Sequence, residues 1–309
     1  MTTADTTISM PPATPETEWR SGDSCPASCS PSGQFSFIEA KTLLWFSCGG
    51  ASACAGKLAV DAKLPNLEII YCDTLKYEHP DNVRFLRDVE QWLQRPVKIL
   101  RSKEYADIFD VFDKTGWLVG PAGARCTTEL KKNVRKAYQS PEDTHVFGLT
   151  ADEQGRIALF ESENPDIWLN WNLRDAGMTK RDCVQMLKAA GIQLPEMYRL
   201  GYKNNNCIGC VKGQAGYWNK IRVDFPEAFA RMAAQERKMD VAINKRYEGK
   251  TRIPVFLDEL PPDAGRYEVE PDIECGPQCK SPGLTDAEIT SEARMGNGEV
   301  RHGGPDGSK

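Results

Sequence analysis

Phe46-Ser47-Cys48-Gly49-Gly50-Ala51-Ser52-Ala53 decides how the rest of the chain is read. The apolar run Leu43-Leu44-Trp45-Phe46 before it reads as a buried strand, and Ala55-Gly56-Lys57-Leu58-Ala59-Val60 after it as the first turns of a helix. A strand, a small-residue turn and a helix start make an anion cradle. Small residues let the backbone approach a phosphate, and the helix start offers N–H groups and partial positive charge. Taken alone, the same turn fits equally a tight strand-to-helix connection that holds no ligand.

Outward from this turn, strand and helix alternate. Leu67-Glu68-Ile69-Ile70-Tyr71 reads as a second strand ending at Cys72-Asp73-Thr74, Val97 to Leu100 as a third, and His145 to Leu149 as a fourth. Asn82 to Gln94 has helical spacing of Val83, Leu86, Val89 and Leu93, and Tyr105 to Phe112 and Thr127 to Tyr138 also read as helices. Strands separated by helices call for right-handed crossovers and a parallel sheet covered on both faces. Ligands of such sheets bind beyond the carboxyl ends of the strands, where the Ser47 loop, Asp73-Thr74 and Thr150 to Glu153 all fall. Past Glu161 the reading is helical: Lys180 to Ala190, Tyr217 to Ile221 and Pro226 to Asn244. The expected organisation is a disordered tail over 1–33, a nucleotide-binding α/β core over 34–165, a helical part over 166–260 and a flexible tail over 261–309. A short helix is expected within that last tail, from Thr285 to Met295.

Composition limits the functions open to the chain. Its 309 residues carry a net charge of -5, which argues against a general nucleic-acid or anionic-membrane binder and leaves room only for a local basic groove. No apolar run approaches transmembrane length and residues 1–30 hold no signal-peptide core, so a cytoplasmic location is expected. In that compartment eleven cysteines read as metal, cluster or redox sites rather than a disulfide framework. Cys25 and Cys29 lie in the N-terminal tail, as a stray pair or as a metal or redox pair. Cys207-Ile208-Gly209-Cys210 is the sharper signal: two intervening residues turn the chain enough to aim both sulfurs at one centre. A buried or redox pair is the other reading of the same spacing.

From about Thr42 to Cys279 the chain resembles the phosphoadenosine phosphosulfate (PAPS) reductase family, within the adenine-nucleotide hydrolase superfamily of PP-loop proteins. The pieces that carry the resemblance are the Ser47-to-Ser52 loop, Tyr71-Cys72-Asp73-Thr74 with Pro80 and Phe85-Leu86, Arg125-Cys126-Thr127 with Leu130-Lys131, Gly148 with Glu153 and Arg156, and Cys207 to Cys210. The resemblance implies an adenine-nucleotide site on Ser47, Gly49, Gly50, Ser52, Asp73, Thr74, Lys131, Glu153 and Arg156. It also implies a 4Fe–4S cluster on Cys126, Cys207 and Cys210. Arg125 stands where cluster-bearing members have a further cysteine, so the fourth ligand is open to another residue, substrate or sulfide.

Ile273-Glu274-Cys275-Gly276-Pro277-Gln278-Cys279 resembles the Glu-Cys-Gly of sulfonucleotide reductases, carried on a mobile tail. The implied catalytic residues are Cys275, as nucleophile toward the sulfur of an adenine sulfonucleotide, and Cys279, as a resolving thiol or cluster cap. A small thiol-reductant protein such as thioredoxin is the implied partner. Departures from the pattern are Ala51 at the position of an Asp in ATP-cleaving members, Cys48 at a glycine, and Thr150 at an arginine. Loss of that carboxylate weakens magnesium-assisted ATP cleavage. Alternatives are an iron–sulfur-dependent PP-loop sulfurtransferase that thiolates nucleic acid, and a non-catalytic nucleotide-binding homologue.

Overall fold

The computed structural model describes residues 39–120, 123–273 and 275. The expected tail over 1–33, Cys25, Cys29, Cys279 and the helix near Thr285 lie outside the described residues. The main sheet contains β1 (Thr42–Phe46), β2 (Leu67–Cys72), β3 (Val97–Leu100), β4 (Thr144–Phe147) and β5 (Trp168–Asn170), in the order β3-β2-β1-β4-β5 with every pair parallel. The helices are α1 (Gly50–Asp61), α2 (Asn82–Leu93), α3 (Ile108–Thr115), α4 (Gln154–Glu163), α5 (Lys180–Ala189), α6 (Ala215–Asp224) and α7 (Pro226–Met239). A continuous helical run over 125–138 lies between α3 and β4.

Side-chain alternation along the strands makes two cores. Leu44, Phe46, Ile69 and Tyr71 face one side and pack with Ala55, Phe85, Val89 and Leu187 of α1, α2 and α5. Leu43, Trp45, Ile70 and Cys72 face the other and pack with Val134 and with Ile157 and Phe160 of α4. Both faces are covered, which is why β1 reads as an unbroken apolar run rather than an alternating one. A third core joins α3, α6 and α7 through Phe112, Trp218, Ile221 and Met232, and it includes Cys210.

Several elements differ from their sequence reading. The helix after β1 begins at Gly50, so Ala51 and Ser52 belong to its first turn rather than to the preceding loop. The Ser52 hydroxyl accepts from Ser47 N at 3.1 Å and bonds back to Gly49 O at 3.0 Å, closing the turn early. The third helix starts at Ile108 because the Asp107 carboxylate caps it, accepting from Phe109 N and Asp110 N. Trp168–Asn170, read as part of a helical region, is the fifth strand; at three residues it is too short to show a period. The last long helix stops at Met239, and Asn244–Glu248 pairs with Thr251–Val255 as a hairpin, β6 and β7. Buried Glu236 closes the base of that hairpin by accepting from Ile243 N and Leu257 N, each at 2.6 Å. Of the stretch read as a flexible C-terminal tail, residues 261–273 lie against the body. Glu270 accepts from Gly216 N at 2.6 Å and Tyr217 N at 2.9 Å, and the Tyr267 hydroxyl accepts from Lys203 N at 2.8 Å.

Candidate functional site

The strand order reverses between β1 and β4, and a crevice opens beyond the carboxyl ends of strands at such a point. A cavity of about 310 Å³ lies there, at the lower end of the roughly 300–1,000 Å³ of small-molecule sites. Its lining includes Ser47, Gly49, Gly50 and Ser52 from the β1 turn, Gly148 after β4, and Glu153 and Arg156 at the start of α4. Lys131 and Cys275 line it as well.

Three local features shape the turn. Gly49 before α1 has no side chain to cap it, and Gly50, Ala51 and Ser52 of the first turn line the cavity. Cys48 holds a left-handed backbone (φ 57°), buries its thiol and turns its carbonyl to the Asn205 amide at 2.7 Å. Gly148 passes so close that a Cβ there would lie 2.5 Å from Ser52 N, which only glycine avoids.

The cations of the cavity come from three directions. Glu153 accepts from Thr150 N at 3.0 Å, pairs with Arg156 and stands 3.6 Å from Lys180, so its carboxylate organises cations on the wall. Lys131 sits in a π turn, Thr128–Lys132, of the kind found at functional sites, and its side chain is buried. Burial opposes its charge, but Cys275, Cys207 and Glu78 outweigh that and hold it protonated. Asp73 and Thr74 do not line the cavity. Asp73 accepts from Leu75 N at 3.1 Å and pairs with Arg101 at 2.7 Å, while Thr74 is buried and donates to Glu78.

Contacts from Thr127 and Asn206 tie three cysteine-bearing segments together, those of Cys126, of Cys207 with Cys210, and of Cys275. Cys207 and Cys210 lie on a loop that Tyr217 of α6 holds: its hydroxyl accepts from Gly209 N at 3.1 Å and Cys210 N at 2.9 Å, and donates to Cys207 O at 3.3 Å. Gly209 adopts φ 77°, the left-handed step that closes the loop. Cys126 lies in the first turn of the helical run, and its neighbour Thr127 places its hydroxyl 3.6 Å from the Cys275 sulfur. Burial pushes the Cys126 thiol up to about 12 and Cys210 to about 11, and in both the neighbouring Cys275 adds to the rise. Cys275 goes the other way. Burial raises it, but Lys131, Lys212 and the Thr127 hydroxyl outweigh burial and favour its thiolate.

No disulfide joins these cysteines, and among the described residues no three Cys, His, Asp or Glu side chains converge on the position of a single metal ion. That spread does not suit a lone zinc, whose four ligands close on one tetrahedral centre. An all-thiol set is the donor chemistry of iron–sulfur clusters, where each cysteine approaches its own iron across a larger body.

The sequence reading missed the far wall of the cavity: Lys180, Tyr198, Lys203, Asn205 and Asp272. The run Asn204-Asn205-Asn206 just before the C-x-x-C was the one available signal, since three consecutive amides are costly to bury without partners.

Fold and site together define a doubly wound α/β protein with a cavity at the reversal of strand order, lined by the β1 turn and by Cys275. No family model and no curated protein matches the chain. Among solved structures it is similar to a phosphoadenylyl-sulfate (PAPS) reductase from Candida auris, a phosphate complex. The identity is 15%, over 56% of this chain and 84% of that one, with a TM-score of 0.38. The fold class stands on the sheet order itself.

Proposed function

We propose that the protein is a sulfonucleotide reductase-like enzyme that acts on an adenine nucleotide bearing a phosphosulfate. One observation carries this reading: the phosphate cradle and the Cys275 thiol face the same cavity, with Lys131 lining it too. In the proposed reaction the N–H groups of the β1 turn and the start of α1 hold the phosphate, and Arg156 and Lys180 add cationic charge on the wall. Lys131 and Lys212 keep Cys275 ionised, and the thiolate is the attacking species.

Cys275 then attacks the sulfur of the phosphosulfate. A sulfur–sulfur bond forms, the sulfur–oxygen bond to phosphate breaks, and the nucleotide departs with the electron pair as its phosphate anion. The S-sulfocysteine left behind is attacked at the cysteine sulfur by an external dithiol of the thioredoxin class, which releases sulfite and becomes oxidised to its disulfide. Cys126, Cys207 and Cys210 would hold the 4Fe–4S cluster that the family resemblance implies. When bound, it would supply a charged group beside the reacting thiol. Ala51, where ATP-cleaving relatives place a carboxylate, also favours a substrate that is not cut by magnesium-assisted hydrolysis.

The test is to incubate the full chain with sulfur-labelled adenosine phosphosulfate or its 3′-phosphorylated form, without reductant, and to map the adduct by mass spectrometry. A sulfonate adduct on Cys275 is the expected result. An adduct on another cysteine reassigns the nucleophile, and ATP consumption without any adduct moves the protein to the sulfurtransferase reading.

A further inference from the structure

Three cysteine ligands leave one iron of a cubane without a thiolate, and Arg125 occupies the place from which relatives supply the fourth. The chain carries a replacement on a different segment. Two contacts bring the C-terminal stretch to the other thiols. The Asn206 amide, one residue before Cys207, donates to Ile273 O at 2.7 Å, two residues before Cys275. The Thr127 hydroxyl, one residue after Cys126, meets the Cys275 sulfur at 3.6 Å. The same stretch is pinned further back by Glu270 to the amides of Gly216 and Tyr217, and Tyr217 is the residue that holds the C-x-x-C loop. Cys275 is thus tied on one side to the segment of Cys126 and on the other to that of Cys207 and Cys210. The other free cysteines among the described residues, Cys48, Cys54, Cys72 and Cys183, belong to the cores of the sheet; Cys183 also lines the cavity, where its thiol partner is Cys54.

We infer that Cys275 is the fourth thiolate of the cluster site in the substrate-free protein, held between the Cys126 segment and the C-x-x-C loop. The inference rests on the cluster part of the proposed function and adds a second role to its nucleophile. The residue that attacks substrate is stored as a ligand, and leaves that position as a thiolate with its electron pair intact. Storage also protects the thiol from oxidation while the cavity is empty, since a coordinated thiolate is no longer a free nucleophile.

The test is anaerobic purification of the full chain, with iron and sulfide counts, electron paramagnetic resonance after mild oxidation, and Mössbauer spectra of iron-57-enriched protein. In the wild type without nucleotide, the Mössbauer spectrum should show no iron set apart by a non-thiolate ligand; adding adenosine phosphosulfate should create one. Cys275→Ala should keep a cluster but give a three-iron signal on oxidation, with the loss of about a quarter of the iron. Cys126→Ala, Cys207→Ala and Cys210→Ala should lose most of it, and Cys183→Ala none. A distinct iron already present in the nucleotide-free wild type overturns the inference, as does a Cys275→Ala spectrum identical to wild type after oxidation. Wild-type protein that holds no iron and sulfide overturns it too. The adduct experiment is read independently of iron, so a failed cluster and a failed substrate assignment are told apart.

Discussion

The eight free cysteines among the described residues fall into two sets of four that differ in what surrounds them. Cys48, Cys54, Cys72 and Cys183 are buried against the sheet. Cys48 donates to Asn82 O at 3.5 Å, Cys54 to Cys183 O at 3.4 Å and Cys72 to Lys131 O at 3.8 Å. A thiol that donates to a carbonyl is protonated, and burial pushes Cys72 up to about 12. Cys48, Cys54 and Cys72 act as small apolar side chains with a weak donor, while Cys183 also lines the cavity and its bond with Cys54 outweighs burial and lowers its pKa. Cys126, Cys207, Cys210 and Cys275 come together from three segments, near Lys131 and Lys212, and one of them opens onto the cavity. Residue type is the same in both sets; what differs is the balance of burial against nearby charge, which burial wins at Cys72 and which Lys131 and Lys212 win at Cys275.

The sharpest break of this comparison is a pair of alanine substitutions. Cys207→Ala should abolish bound iron and sulfide in anaerobically purified protein. Cys72→Ala should retain both and cost about 1 kcal/mol in denaturant unfolding, the effect of one small cavity. Equal iron loss in the two variants would erase the distinction.

A second contrast asks whether the cavity serves only the reactive set. Gly148→Ala should weaken adenosine phosphosulfate binding by roughly 100-fold in calorimetry, because the new methyl displaces the backbone of Ser52. Gly49→Val should weaken binding by blocking phosphate while leaving the fold intact, since a Cβ there meets only Tyr198 Oη at 3.4 Å and Ser47 Oγ at 3.5 Å. In metal-free protein of both variants, nucleotide should no longer shield Cys275 from alkylation, and Cys54 should remain as inert as before.

A third measurement sharpens the electrostatic side. In metal-free protein, Lys131→Met should shift the pH profile of Cys275 alkylation upward, toward and past the ordinary thiol range, because the first cation that lowers its pKa is gone. Cys54, whose pKa is raised by its bond to Cys183 and by burial, should not respond. An unchanged Cys275 profile would remove Lys131 from the account.

The smallest effects separate the two packing regions by pH. His145 lies in the sheet, where its Nδ1 accepts from Trp45 Nε1 at 2.9 Å and burial lowers its pKa to about 4. Its contribution is complete above the ordinary 6.5 and is lost as pH falls toward 4, since the unfolded chain takes up the proton first. Glu236, beneath the hairpin, has the opposite sign: burial raises it to about 7, so its contribution is complete below 4.5 and is lost as pH rises through 7. Unfolding midpoints across pH should show the acid-side slope vanish in His145→Phe and the neutral-side slope vanish in Glu236→Gln.

How much of this was legible in the chain depends on whether the contacts are local. β1, β2 and β3 and the amphipathic α2 are written in runs of apolar residues and could be placed within a residue or two. The exact start of α1 was not, because it depends on the Ser52 hydroxyl reaching back to Ser47 and Gly49. The β6–β7 hairpin was hidden by its charged strands and by Pro254, which ordinarily speaks against a strand and is tolerated here because a two-stranded sheet has only edges. In the cavity, the near wall follows from the β1 turn and its relatives in motif. Lys180, Lys203 and Asp272 reach it only through the folding of the C-terminal part, and no spacing in the sequence announces that. The grouping of Cys126 with Cys207 and Cys210 was an expectation from resemblance alone, since pairwise spacing says nothing about which distant segments converge.

Tyr217 has a consequence for how this molecule opens. Its hydroxyl holds the amides of Gly209 and Cys210, while its own amide, with that of Gly216, is held by Glu270. One residue therefore fastens a loop through its tip and a terminal strap through its base. In amide hydrogen exchange these four N–H groups should open as a single cooperative unit, because lifting the strap frees the base of the ring that orders the loop. The exchange of the cysteine loop would then be set by a carboxylate 53 residues beyond Tyr217.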